Sequence, residues 1–342
     1  MKSGFRNEKE LDQFLATPNE QVIQTLADLK GDLMILGVGG KMGPSLAKMA
    51  KNAFAAAGEE KRVLGASVFP SSDMKNDLQE HGIKIFEGDL LDKDFVYQLP
   101  DVENVIYMAG MKFGSVENLA MTWAVNSYLP TLISEKYRKS RIVAFSTGCV
   151  YPLVSVKSGG SREVDPVGPI GEYAQSCLGR ERMFEYFSKR NQTPMTIIRL
   201  NYSVEMRYGV LVDVALKVLR EQPVDVTMGF ANVIWQGDAN AMVLQSLKRC
   251  QSPPKILNVT GPETISLKRI AGQFAELLNV DLQTVGEEEE TALLNDASQA
   301  FSLFGYPSVS LNEMIHWIAD WLKNKQTLYD KPTHYETRNG QF

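Results

Sequence analysis

The chain has 342 residues, 44% of them hydrophobic and 23% charged, with a formal net charge of −5, a profile that suits a soluble globular protein of two domains or one large domain with a subdomain. That balance gives no broad electrostatic pull toward nucleic acid or anionic lipid; no apolar run reaches the length of a membrane span, and Met1–Glu8 lacks the apolar core of a signal peptide, so no nucleic-acid or membrane partner and a cytoplasmic location are the expectations. Three widely spaced cysteines (Cys149, Cys177, Cys250) and three scattered histidines (His81, His316, His334) support neither a disulfide framework nor a metal site.

Thr17-Pro18-Asn19-Glu20 carries a capping residue, a proline at the first helical position and a glutamate at the third, and predicts a helix over 18–29. Leu33–Leu36 reads as a short buried strand running into Gly37-Val38-Gly39-Gly40-Lys41-Met42-Gly43 and then a small, apolar helix. Strand, glycine turn and helix in that order form a dinucleotide-binding pattern. Gly37 permits the sharp turn, Gly40 lets main chain approach a diphosphate, and Gly43 lets helix and strand pack closely. The helix N-terminus then offers unpaired N–H groups and a positive dipole end to the phosphates.

Strands follow at Arg62–Val68, within His81–Asp92, within Val102–Gly110 and at Arg141–Thr147, alternating with helical segments such as Leu119–Lys136. That alternation predicts a parallel sheet covered on both faces, with chemistry at the end of the fifth strand. Ser67 stands where a ribose-binding acid usually closes the second strand, and no arginine follows it at once, so NAD and NADP both remain open. Asp73 reads as a helix cap. A long helix over Glu172–Lys189 and a sixth strand, Met195–Leu200, come next; short strands at Pro223–Thr227 and Lys255–Thr260 mark a smaller lobe woven into the first. Glu287–Glu290 reads as a solvated acidic run and Thr327–Phe342 as an oligomer arm or loosely ordered tail.

Ser146-Thr147-Gly148-Cys149-Val150-Tyr151, then Glu172-Tyr173-Ala174-Gln175-Ser176-Cys177, stand out together with the glycine turn, Gly88-Asp89-Leu90 and Asn126. With these, the chain resembles the extended short-chain dehydrogenase/reductase superfamily, in its NAD-dependent epimerase/dehydratase branch. The likeness runs almost end to end, through Asn201-Tyr202, Trp235–Ala239, Leu257–Gly261, Asp296–Ala300 and Phe304–Tyr306. It implies an α/β doubly wound (Rossmann) parallel sheet over 1–200, completed by strands at about 230–260, with a substrate lobe at 201–330 and a polar tail at 331–342.

The resemblance also implies roles. Tyr173 is the general acid/base, Thr147 positions the substrate oxygen, and Asn126 organises the active-site water chain. Gly37, Gly39, Gly40, Lys41, Met42, Gly43 and Ser67 border the cofactor, Asp89 and Leu90 the adenine, and Ala109 and Gly110 pass beneath it; Tyr173 and Cys177 flank the nicotinamide. Asn201, Tyr202, Arg207, Tyr208, Lys112 and Thr147 face a small-molecule substrate of sugar or hydroxy-acid type. Leu119–Lys136 and Glu172–Lys189 are the helices of a homodimer.

One position departs from the family. Cys177 occupies the site of the lysine that, four residues after the tyrosine, would share its helix face and lower its pKa. Three readings follow: another cation, Arg180 or Lys112, takes over; Cys177 itself acts as a thiolate or proton donor; or the dinucleotide is bound without hydride chemistry, leaving a sensor or scaffold.

Overall fold

A computed structural model describes residues 4–112 and 117–340; the first three residues of the N-terminal stretch and the last two of the predicted tail lie outside the described residues. Seven parallel strands form the central sheet: β1 (Leu33–Leu36), β2 (Val63–Ser67), β3 (Lys84–Glu87), β4 (Asn104–Tyr107), β5 (Arg141–Thr147), β6 (Met195–Leu200) and β7 (Lys255–Val259). Their spatial order is β7-β6-β5-β4-β1-β2-β3. The order reverses between β1 and β4, so the crevice outside their carboxyl ends is where such sheets take ligands.

Successive strand residues point to opposite faces, and the core divides accordingly. Leu33 and Ile35 of β1 and Val143 and Phe145 of β5 join one apolar cluster. Met34 and Leu36, with Ile142 and Ala144, join the other. The first face is covered by α2 (Glu20–Asp28), α3 (Gly43–Ala56) and α10 (Gln236–Ser246). The second is covered by α5 (Lys93–Gln98), α7 (Leu129–Lys136) and α8 (Gly171–Asn191). Burial on both sides explains why these strands read as continuous apolar runs rather than alternating ones.

Several boundaries differ from expectation for local reasons. The cap of α2 is Asn19, whose side chain accepts from Val22 N–H at 2.8 Å, while the Thr17 hydroxyl turns back to donate to the Gln13 carbonyl. Ser71, rather than Asp73, caps α4 (Ser72–Glu80). The helix over 119–136 is split: α6 (Leu119–Trp123) and α7 flank a π-helical turn at Ala124–Tyr128, which carries the fully buried Asn126. Such insertions cluster at functional sites.

A separate apolar core gathers α9 (Val210–Leu219), α11 (Leu267–Leu278), α13 (Leu311–Lys323) and, from the far end of the chain, α1 (Glu8–Leu15). Phe5, Trp235 and Trp317 pack ring on ring at its centre. Tyr335 is buried in the same core, so the C-terminal segment is not a loose tail. It runs as a strap: Tyr329 N–H donates to the Arg207 carbonyl, the Arg338 guanidinium to the Thr291 carbonyl and hydroxyl, and Gly340 lies against Ile170 and Gly171 at the start of α8. Among the described residues no helix is long and apolar enough to cross a membrane.

Under the carboxyl ends of β5 and β6 lies a dry polar network. Arg199 of β6 forms a two-pronged ion pair with Glu181 of α8 at 3.0 and 2.7 Å, both side chains almost inaccessible. Glu181 also accepts from the Ser146 hydroxyl at 2.6 Å, and Arg199 donates to the Tyr151 hydroxyl, which donates to Asn258 of β7. Removing one partner strands a buried charge. Glu181→Ala is therefore expected to cost about 3–5 kcal/mol in urea unfolding, with Glu181→Leu/Arg199→Met recovering most of it; a single-variant loss below about 1 kcal/mol, the range of exposed pairs, would contradict this account.

Candidate functional site

The glycine turn is held by close main-chain approach. Gly37 has φ +89°, and a Cβ there would lie 2.6 Å from the Ala109 nitrogen just beyond β4. A Cβ on Gly39 would meet the Val68 carbonyl at 2.6 Å and the Ser67 hydroxyl at 2.9 Å, and one on Gly43 would collide with the Val38 carbonyl. Gly40 differs: only the Gly37 carbonyl, at 3.3 Å, is near, and its outer side is open. Thus three glycines close the turn around β2 and β4, and the fourth leaves a bare cradle beside Lys41 and Met42, the N-cap of α3. This is the shape a diphosphate requires, so the residues present fit a dinucleotide. Farther along, Asp89 accepts from Leu91 N–H at 2.9 Å to fix the turn after β3, with its side chain otherwise exposed and Leu90 packed beneath.

At the end of β5, Thr147 is the N-cap of a short 3₁₀ turn, its hydroxyl accepting from Cys149 N–H at 3.2 Å. Tyr173, in the first turn of α8, packs against Val150, Tyr151 and Cys177, and its electrostatic neighbours are Cys177, Cys149 and Arg180. Cys149 is thus a neighbour of both, through its backbone N–H to Thr147 and electrostatically to Tyr173. Burial pushes the Tyr173 phenol well above its ordinary pKa, the two thiols add to this, and Arg180 opposes it.

Arg180 stands two turns along α8 from Tyr173 and is buried. Its guanidinium donates to Asn126 Oδ1 at 2.5 Å and to the Phe145 carbonyl at 3.0 Å, and lies 2.6 Å from where a Gly110 Cβ would be. Asn126 in turn grips Met111 from both sides, accepting its N–H and donating to its carbonyl at 2.9 Å each, and donates to Ser176 Oγ. Every hydrogen-bonding position of that side chain is engaged, so Asn126 clamps the loop after β4 to α8 rather than ordering water.

Lys112, at the end of that clamped loop, donates to the Thr333 carbonyl of the strap at 2.9 Å. Burial lowers its pKa, against the pull of Cys149, Asp213 and Cys177. Lys41 reaches from the glycine turn to lie 3.2 Å over the Tyr208 ring. Its pKa falls to about 7, first through burial and then through the charges of Lys112 and Lys331, with Asp213 opposing.

The expected substrate residues divide. Tyr202 lines a small cavity of about 20 Å³ with Cys149, Ile170, Thr337 and Arg338, and it holds φ +41°, a conformation a bulky side chain tolerates only where its surroundings enforce it. Asn201 is buried against Gly148 and donates weakly to the Leu293 carbonyl. Arg207 and Tyr208 both line a larger cleft of about 330 Å³, where the Arg207 guanidinium pairs with Glu205, Asp12 and Glu8 and stacks on Tyr329. Two participants gave no sequence signal. Thr333 lies in a stretch read as tail, and the buried Asn295 amide, beside Gly148, has no hydrogen-bond partner among the described residues.

Residues 33–206, just over half the chain, match the NAD dependent epimerase/dehydratase family. The chain belongs to that family. A comparison with curated proteins gives no match. Among solved structures, UDP-glucuronic acid 4-epimerase from Bacillus cereus, in complex with UDP-glucuronic acid and NAD, superposes with a TM-score of 0.72 at 18% identity, covering 86% of this chain and 99% of that one. Thermus thermophilus UDP-glucose 4-epimerase in complex with NAD gives 0.70 at 19%, covering 85% and 99%. Pal from Bacillus thuringiensis gives 0.71 at 19%, covering 86% and 100%. At such identities the likeness establishes the shared fold, a Rossmann sheet of the kind expected.

The geometry bears on Cys177. Its thiol is buried, hydrogen-bonded to Tyr173, and pushed up to about 11, by burial first and against the pull of Arg180. Burial thus keeps the thiol in its protonated form near neutral pH, against the thiolate a nucleophile or base requires. In the native protein Cys177 is expected to stay unlabelled by iodoacetamide at pH 8 and to label after unfolding; rapid native labelling mapped to Cys177 by mass spectrometry would refute this.

Proposed function

We propose that this epimerase/dehydratase-family member binds NAD across the glycine turn and acts on an alcohol carbon of a sugar, sugar acid or related polyol, as an epimerase or oxidoreductase. The observation that supports the reading is that Tyr173 is partly buried at the start of α8 with Arg180 acting on it as a positive charge, the charge that Cys177 does not supply, and with Cys149, whose N–H binds the Thr147 hydroxyl, as a further neighbour. Tyr173 takes the substrate hydroxyl proton, and Thr147 orients the oxygen. Arg180 stabilises the phenolate, a role suited to a guanidinium because burial cannot neutralise it. Bound NAD would supply the hydride acceptor. The strap and the apolar core it joins form the substrate side. Family membership favours this enzymatic reading over a silent sensor.

NAD is preferred to NADP on local grounds. Ser67 is followed by Val68, whose side chain is exposed, and Lys75, the next basic residue in sequence, is paired with Glu87 at 2.8 Å. We also assign a homodimer to the face formed by α6, α7 and α8, where Leu119, Met121, Trp123, Tyr128 and Tyr186 are exposed together. The expected partner is a second copy of the same face.

Turnover is screened with NAD over sugar acids, polyols and nucleotide sugars, following reduced nicotinamide and epimeric products. Tyr173→Phe is expected to lower kcat by roughly 10²–10⁴-fold, the share general acid–base catalysis usually supplies; an unchanged kcat would reject the mechanism. Gly40→Ala is expected to cost no more than about 1 kcal/mol, since its Cβ would meet only the Gly37 carbonyl at 3.3 Å, yet to weaken NAD at least about tenfold by filling the cradle. Equal NAD affinity in a calorimetric titration would remove the cofactor assignment. Tyr128→Glu is expected to convert dimer to monomer in sedimentation equilibrium, and a wild-type monomer would dismiss the interface.

A further inference from the structure

The far end of the strap crosses the site from one side to the other. Tyr335 is buried in the second apolar core, and beyond it Thr337, Arg338 and Gly340 line the small cavity bordered by Cys149, Tyr202 and Ile170. Ile170 is the N-cap of α8, three residues before Tyr173. Little space is left there: about 20 Å³, room for one water molecule, where small-molecule sites run to roughly 300–1,000 Å³.

Residues 336–340 belong to no helix or strand. Arg338 donates to the Thr291 carbonyl at 2.8 Å and hydroxyl at 2.6 Å and, more loosely, to the Thr227 carbonyl at 3.3 Å, all neutral acceptors. Released from them, the guanidinium returns to water and leaves no buried ion behind, unlike either partner of the Glu181–Arg199 pair. At the other end the chain touches α8 through main chain alone. A Cβ on Gly340 (φ +76°) would stand 2.2 Å from the Ile170 carbonyl, and one on Gly171 (φ +81°) 2.4 Å from the Gly340 carbonyl. His334, beside the Tyr335 anchor, holds φ +55°, a left-handed conformation that a non-glycine residue keeps only under constraint. An irregular segment with one aromatic anchor, a strained joint next to it and a reversible polar clasp has the construction of a hinged cover.

We propose that residues 336–340 are a flap over the reaction centre, pivoting at His334 and Tyr335 and clasped shut by Arg338 on Thr291 and by Gly340 on Gly171. Shut, it seals the space beside Cys149 and Tyr202; open, it admits the reactant. The inference rests on the reading of Tyr173 and Thr147 as the reaction centre and adds how that centre is reached. Because Gly340 meets the first residues of α8 while Arg338 meets Thr291, closure ties the helix bearing Tyr173 to the segment across the cavity, and reopening precedes product release.

Cys149 reports the flap without turnover, since it lines the covered cavity. The full chain is treated with iodoacetamide at pH 8, and the labelling rate of each cysteine is followed by mass spectrometry. Arg338→Ala undoes the clasp and is expected to speed labelling of Cys149 about tenfold or more, the equivalent of one hydrogen bond from a charged group. Gly340→Ala, whose Cβ has no room beside the Ile170 carbonyl, is expected to do the same from the other end. Arg182→Ala, an exposed arginine of α8, leaves the rate unchanged. Cys177, fully buried in the fold itself, keeps its wild-type rate in every variant. Unchanged labelling of Cys149 in both flap variants overturns the proposal, and so does an equal acceleration of Cys177, which would mean general loosening. Labelling needs no substrate, so a failed turnover screen leaves this test standing, and a failed test leaves the role of Tyr173 untouched.

Discussion

The pairing of Glu181 with Arg199 fixes everything above it. One residue belongs to α8, the helix that presents Tyr173, and the other to β6; Ser146, the neighbour of Thr147, and Tyr151 are tied in by the same oxygens and nitrogens. A helix laid on a sheet through apolar contacts alone can slide by a fraction of a turn at little cost, because such contacts carry no direction. Two parallel N–H···O bonds in a water-free interior do carry direction. They set α8 against the ends of β5 and β6, and so set where a phenol in the first turn of α8 can stand relative to a hydroxyl at the end of β5.

Above that base, the proposed site lacks the lysine that the resemblance leads one to expect. The i+4 position after Tyr173 is a thiol whose pKa burial raises, and the positive charge acting on both residues is Arg180, one turn farther along α8. A guanidinium can occupy so enclosed a place because its donors match the acceptors offered, the Asn126 side chain and the Phe145 carbonyl. The same Asn126 holds Met111, so the residue that feeds Arg180 also places Lys112. Charge, loop and helix are interlocked.

The third constraint comes from the end of the chain. Polar side chains with scattered aromatics suggested a loose tail, yet Tyr335 is anchored in the second apolar core and Gly340 fits against Gly171, where neither residue has room for a side chain. Just before the first anchor Thr333 meets Lys112 and Asp213, and between the anchors Thr337 and Arg338 border the small cavity beside Cys149 and Tyr202. At about 20 Å³ that cavity holds about one water molecule.

Sequence alone settled the pieces whose cause is local. The strands β5 and β6 end where they were expected, because runs buried on both faces announce themselves as unbroken apolar stretches. The glycine turn was legible because Gly37, Gly39 and Gly43 each stand where a side chain has no room. The exchange of lysine for cysteine was visible as a spacing on one helix face. Which cation lies beside Tyr173 was not, since Arg180 and Lys112 were equally open as letters. Only folding decided that Arg180 would be satisfied by Asn126, that Arg207 would be spent on Glu205 and Asp12, and that Thr333, 221 residues from Lys112, would hold its ammonium. Local pattern fixes an element because neighbours along the chain create it. The fate of a charge depends on which groups share its small, dry volume, and those are gathered from the whole length of the chain.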